Sequence, residues 1–416
     1  MTSSHSTPHA RSSWKVPASI VAKRTSNPIR AIVDHIKVKP NPEKSMISLA
    51  LGDPTLFGNF KIHQSCTDAV AKQLHSYKAN GYPPSTGYMA SRQAIADRFT
   101  RPDAPLTGQD IIITSGCSGA LDMCIGVLCN EGDNILLPRP GFSLYQTLAD
   151  SKGIEVRYYD LLPEKNWEMD LKQLESLIDE RTATVVMNNP SNPCGSVFSK
   201  QHLLDFLAVC DKHHLPAIAD EIYCDLVFSG QEFFPLASLT TTVPVLSVGG
   251  LAKKYLVPGW RVGWVSIHDR NNIFASEVRE GLNSLSQLIL GSNSLIQAAL
   301  PDILNHTDEA FYHDTRVELE ALAKLSTDIL SKVPGLKVIV PQGAMYVMIA
   351  INIAEFKDIP NDIIFTEKLL GEESVMCLPG SVFQCPNFIR IVFTSPPEVL
   401  RDAYQRMAEF CARHHV

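Results

Sequence analysis

The stretch Gly250-Leu251-Ala252-Lys253-Lys254-Tyr255-Leu256-Val257-Pro258-Gly259-Trp260-Arg261-Val262-Gly263 decides how the chain is read. A β-branched run at 243–248 enters it and another at 262–267 leaves it, so a lysine pair and an arginine sit in a connection between two strands. Working towards the N-terminus, further short runs at 217–220, 184–188, 154–159, 134–137 and 111–114 alternate with helix-period segments at 202–212, 170–177 and 119–129, Ser199 capping the first of these. The alternation predicts an α/β fold in which a mainly parallel sheet is covered by helices on both faces. Working the other way, 309–332 reads as a long helix closed by Pro334-Gly335, followed by strands at 336–340 and 344–351 and a helix near 397–414. That pattern is α+β. At 416 residues the chain exceeds what one core usually organises. The expected division is a tail at 1–26, an N-terminal arm and part of a small domain at 27–75, a large domain at 76–308 and the rest of the small domain at 309–416.

Composition narrows the function class. A net charge of -7 with scattered Lys and Arg gives no footprint for nucleic acid. The longest apolar stretch, near 120–129, is half the roughly 20 residues of a membrane span, so no membrane is expected. The 10 cysteines show neither a CxxC pair nor zinc-ligand spacing, which predicts reduced thiols, no metal and an intracellular, cytoplasmic protein. Residues 1–26 are rich in Ser, Thr and His and read as a disordered tail. A mitochondrial transit peptide is the alternative, disfavoured because Arg11 is the sole basic residue among the first fourteen.

In open α/β sheets ligands bind beyond the carboxyl ends of the strands. Here those ends are polar in complementary ways. Gly116-Cys117-Ser118 opens an apolar helix, offering N–H groups and a hydroxyl to a phosphate. An ordinary helix cap would read the same. Asp220 closes a buried apolar strand, where an ionised acid needs a partner such as a protonated ring nitrogen, and Tyr223 follows it within reach of a ring phenolate. Asn192 lies in Asn189-Pro190-Ser191-Asn192-Pro193, and Lys253 follows the strand that ends near Val248. Phosphate cradle, amide, acid with phenol, and lysine together match the parts of pyridoxal 5'-phosphate, with Lys253 holding it as a Schiff base.

The 250–263 stretch resembles the fold type I, pyridoxal-phosphate-dependent aminotransferases of class I and II, whose lysine is followed eight residues later by an arginine for the cofactor phosphate. Lys253 and Arg261 stand in that relation, which selects Lys253 over Lys254. The resemblance runs from Asn27-Pro28-Ile29-Arg30 to Asn387-Phe388-Ile389-Arg390 and is nearest to the tyrosine-type branch. It implies that Phe142 stacks on the cofactor ring, Asn192 approaches the ring oxygen, and Arg390 receives the substrate α-carboxylate as a planar fork. It further implies that Gly52 brings backbone near that carboxylate, and that Tyr82 reaches the phosphate in the other subunit of a homodimer with shared sites. Arg30 is the candidate for the distal carboxylate of a dicarboxylic substrate. Gly250 stands where aspartate-type relatives often have serine, which leaves Ser247 as the candidate to supply the missing hydroxyl, and Cys194 replaces a common threonine. The implied reaction is transamination of L-tyrosine with 2-oxoglutarate. Aminotransferases for alanine, kynurenine or other aromatic amino acids, and lyases of the C–S or aminocyclopropane-carboxylate synthase type, remain as rivals on the same scaffold.

Overall fold

The computed structural model of the chain describes Trp14, residues 16–35 and residues 38–416; most of the expected N-terminal tail, Arg11 included, lies outside the described residues. The large sheet has eight strands in the spatial order Ile111–Thr114, Gly263–His268, Val245–Gly250, Ala217–Asp220, Thr182–Asn188, Asn134–Arg139, Glu155–Leu162 and Glu168–Met169. Gly263–His268 and Glu168–Met169 run against the other six. The central strands are buried on both faces, which is why they read as continuous apolar runs rather than alternating ones.

Each face has its own core. Ile218, Leu246 and Val186 pack under helices Gly116–Leu128, Leu144–Lys152 and Glu277–Ser286. Ala217, Ala219 and Val185 face the other way, against Leu203 and Phe206 of Lys200–Lys212. The register pairs Asn188 with Asp220 and Asp220 with Val248, so these three form one row at the carboxyl edge, pointing to the same face. Ser247 pairs with Ala219 and belongs to the opposite face.

A second sheet is antiparallel, in the order Leu336–Val338, Tyr346–Ile351, Phe388–Val392, Leu378–Pro379. Its apolar face packs against Glu309–Leu330 and Pro397–His414. Ile47–Ser48 pairs in parallel with Val375–Met376, and Leu49 accepts a hydrogen bond from Val392 N–H at 2.9 Å. The chain's N-terminal arm therefore enters the second sheet's neighbourhood and carries residues 50–53 to the edge of the first.

The structure differs from the sequence reading at several elements. Ile20–Arg24 is a helical turn within the expected tail, because Ser19 caps it and Arg24 pairs with Glu131 at 2.9 Å. The helix expected from 119 starts at Gly116, whose φ of 73° bends the chain out of the strand. Glu277–Ser286 and Ser294–His306 are helices that the sequence reading passes over, the second despite Pro301 inside it. Ser199 does cap its helix, accepting from His202 N–H at 3.3 Å. Ser199→Ala is expected to cost about 1 kcal/mol of stability, measured as a lower urea midpoint at unchanged m-value.

Candidate active site

At the carboxyl edge of the large sheet a cavity of 370 Å³ opens between the two sheets and the N-terminal arm. Its wall brings together Cys117, Ser118, Phe142, Asn192, Asp220, Tyr223, Lys253 and Arg261 with Gly52 and Arg30 of the arm and Arg390 of the second sheet. Residues up to 360 positions apart in sequence thus face one space.

The two adjacent lysines have opposite fates. Lys254 is buried, ion-paired with Asp225 at 2.6 Å, and lies 4.1 Å from the centre of the Tyr312 ring. Burial alone would raise the Asp225 carboxyl, and Lys254, with the Cys224 thiol and Arg98, more than offsets that, holding it below the usual carboxylate range. Lys253 points into the cavity, where its Nζ donates to the carbonyl of Gly52 at 2.5 Å. Among the described residues no carboxylate lies within ion-pair distance of it. Of the two lysines, Lys253 is therefore the one that faces the cavity without a carboxylate partner.

Asp220 is 3% exposed. Burial raises its carboxyl above the usual range, opposed by donors and by the charge of Lys253. The donors are Tyr145 O–H at 2.6 Å, Ile222 N–H at 3.3 Å and the Cys117 thiol at 3.8 Å. All three are neutral, so a cationic ligand atom in the cavity would meet a carboxylate that, among the described residues, is in no ion pair.

Two arginines provide the complementary chemistry. Arg261, held at φ 54°, lies against the start of Gly116–Leu128, where Ser115 makes no side-chain cap. A Cβ on Gly116 would collide with its guanidinium, and one on Gly263 with the Gly116–Cys117 backbone. The glycines create a cradle of uncapped N–H groups and a cation at a helix N-terminus, which suits a phosphate. Gly116 thus makes room for the cradle without lining the cavity. Arg390 is also 3% exposed. Its guanidinium is held between the Tyr346 and Phe383 rings, 4.7 and 4.8 Å from their centres. It donates to Asn192 Oδ1 at 3.0 Å and to the carbonyl of Ala50, while its Nε has no partner. Burial lowers its pKa, and among the described residues no carboxylate pairs with it. A buried guanidinium left this way is a receptor for an external carboxylate.

Some sequence-based expectations need correction or extension. Ser247 does not reach the cavity: strand alternation turns it to the other face, beside Glu221 in a separate 80 Å³ cavity. Gly250 has no space for the serine of aspartate-type relatives, since a Cβ there would come 2.9 Å from the Val262 carbonyl. Tyr82 lies outside the cavity and is 90% exposed. Tyr145, Asn188 and Tyr346 were missed. Asn188 accepts from Asn192 N–H at 2.7 Å and fixes that loop. The strand register is the signal that finds it, as the row mate of Asp220. Tyr145 stands one helical turn beyond Phe142, on the helix that covers the Asp220 face, but its target is visible only in three dimensions.

Residues 44–407 match the family model for aminotransferase class I and II. Tyrosine aminotransferase of Homo sapiens is 55% identical over 402 residues, covering 97% of this chain and 88% of that protein. Tyrosine aminotransferase of Dictyostelium discoideum is 51% identical over 405 residues, 96% of this chain and 97% of that one. The crystal structure of tyrosine aminotransferase from Leishmania infantum matches with a TM-score of 0.93 at 38% identity, covering 97% of this chain and 100% of that one.

Behind the cavity, Glu221 accepts from Leu236 N–H at 2.8 Å, and burial pushes its carboxyl up to about 7. The folded state holds this proton more tightly than the unfolded chain does. The stability so gained is complete in acid and is lost as pH rises through about 7. Glu221→Gln keeps the neutral shape, so its stability relative to wild type is expected to improve from pH 5 to pH 8. Urea midpoints at the two pH values measure this; a pH-independent difference would contradict the assignment.

Proposed function

The chain belongs to the class I and II aminotransferases, and we propose that it uses pyridoxal 5'-phosphate to move the amino group of L-tyrosine to 2-oxoglutarate, giving 4-hydroxyphenylpyruvate and L-glutamate. The observation that carries the reading is that Lys253 shares one cavity with the acid Asp220 and the guanidinium Arg390, and that among the described residues none of the three has an ion-pair partner. Tyrosine as donor rests on relatives named for it that are 51 to 55% identical across nearly the whole chain.

The residues fit the cofactor at every polar end. The Gly116–Ser118 helix start and Arg261 would hold the phosphate, Asp220 the ring nitrogen, Tyr223 and Asn192 the ring oxygen, and Phe142 the ring face. When bound, pyridoxal phosphate supplies an aldehyde that condenses with amines and a protonated ring that withdraws electrons from the carbon bearing the amine. Arg390, supported by Asn192, grips the substrate α-carboxylate and fixes which Cα bond faces the cofactor. Lys253 Nζ takes the Cα proton, a role typically contributing about 10² to 10⁴-fold. Asp220 would set its negative charge against the ring nitrogen, an electrostatic effect on the order of 10² to 10³-fold. The neutral donors around it preserve that charge.

A homodimer with shared sites accounts for Tyr82, which is presented to solvent in the single chain and would reach the phosphate in the partner. The ten free thiols fit a reducing compartment, and the cytoplasm is the proposed location. Arg30 stands at the cavity wall on helix Pro28–His35, where it would meet the distal carboxylate of 2-oxoglutarate or glutamate.

Purified holoenzyme mixed with tyrosine and no oxo acid should form 4-hydroxyphenylpyruvate once per site and stop, and Lys253→Ala should form none. Continued turnover without an acceptor would assign a lyase. Arg30→Gln is expected to raise KM for 2-oxoglutarate by about tenfold, the loss of roughly one charge-assisted hydrogen bond, with KM for tyrosine within about twofold. Steady-state kinetics with each substrate varied decide it.

A further inference from the structure

Tyr346 begins strand Tyr346–Ile351 of the second sheet, two residues from Met348, the register partner of Arg390. Its phenol reaches back across the cavity. The Tyr346 and Tyr223 oxygens are 2.7 Å apart, both side chains are buried, and their rings meet edge to face. A Cβ on Gly52 would collide with the Tyr346 hydroxyl, so the arm's glycine preserves this placement. The guanidinium of Arg390 lies over the face of the same ring, 4.7 Å from its centre.

Counting protons gives the hydrogen bond a direction. Each phenol has one O–H. If Tyr223 gives its proton to the cofactor's ring oxygen, the proton between the two phenols must come from Tyr346. A donor that is itself receiving a hydrogen bond donates more strongly, and a cation over a phenol ring makes that phenol the better donor. Arg390 acts on Tyr223 in the same sense, drawing its hydroxyl down against the burial that raises it. Among the described residues, the other charged groups around the pair are Lys253, whose Nζ is 5.7 Å from the centre of the Tyr223 ring, and Asp220.

We propose that Tyr346 is a positioning residue that donates to Tyr223 and thereby transmits the charge state of Arg390 to the cofactor's ring oxygen. An arriving substrate carboxylate neutralises Arg390, weakens the donation from Tyr346 and then from Tyr223, and leaves the ring oxygen more basic. The bound cofactor then holds its proton to higher pH. This route runs in parallel with the direct bond from Arg390 to Asn192. It rests on the cofactor reading above.

The test is a spectrophotometric pH titration of the holoenzyme's visible band, in wild type and in Tyr346→Phe, with and without 3-(4-hydroxyphenyl)propionate, which carries the carboxylate and lacks the amine. Removing one hydroxyl leaves both rings and the cation in place, and a thermal melt checks the fold. The expected result is a midpoint raised by about 0.3 pH unit in Tyr346→Phe, the size of a cooperative increment to one charge-assisted bond. The further rise on adding the analogue should be smaller in the variant than in wild type, and Tyr223→Phe should raise the midpoint more than Tyr346→Phe. Midpoints and analogue-induced shifts equal to wild type, whatever the change in Tm, would reduce Tyr346 to a packing role and overturn the proposal. A wild-type protein with no visible band would overturn the cofactor reading itself, and the proposal with it.

Discussion

Asp220 and Arg390 are buried in the wall of one cavity, and among the described residues neither has an opposite charge within ion-pair distance. Removing an ion from water costs several kcal/mol even after relaxation. The fold meets that cost with neutral partners: Tyr145, Cys117 and a backbone amide for the acid, Asn192, a carbonyl and two aromatic rings for the guanidinium. Neutral partners stabilise a charge without cancelling it. The architecture around the cavity follows from this constraint. The parallel sheet supplies Asp220 and Asn188 at its carboxyl edge, and the antiparallel sheet supplies Arg390 and Tyr346. The arm closes the gap with backbone carbonyls at Ala50 and Gly52.

Lys253 and Lys254 show how little separates a reactive group from a structural one. Adjacent residues on a turn point to different sides. One meets Asp225 and an aromatic face, the other a cavity with a single backbone carbonyl. An ion pair with a buried carboxylate would hold Lys253 fixed, unable to exchange partners. Its isolation keeps it available as nucleophile and proton carrier.

The central sheet was legible because its inner strands are buried on both faces, and the resulting apolar runs cannot be mistaken for solvated loops. Lys253, Asp220, Arg261 and Arg390 were legible because each closes or follows such a run, or falls on a motif of the family. What the sequence hid depends on facing. Ser247 and Val248 are neighbours in the chain, yet one residue of register sends the serine to the back of the sheet. Tyr346 and Tyr145 look like core phenols until the structure places their hydroxyls on Tyr223 and Asp220. Arg30 was named from the family resemblance alone, because no local pattern announces that its arm helix stands at the cavity wall. The N-terminal turn at Ile20–Arg24 was hidden for a similar reason, since its anchor is Glu131, far along the chain.

The account depends on Lys253, and not its neighbour, being the amine that carries the cofactor. Borohydride reduction of the purified holoenzyme makes that attachment permanent, and peptide mass mapping then locates it. The account predicts the pyridoxyl phosphate mass on Lys253 alone, with Lys254 unmodified. A label on Lys254, or no lysine labelled in protein that shows the visible band, would contradict it.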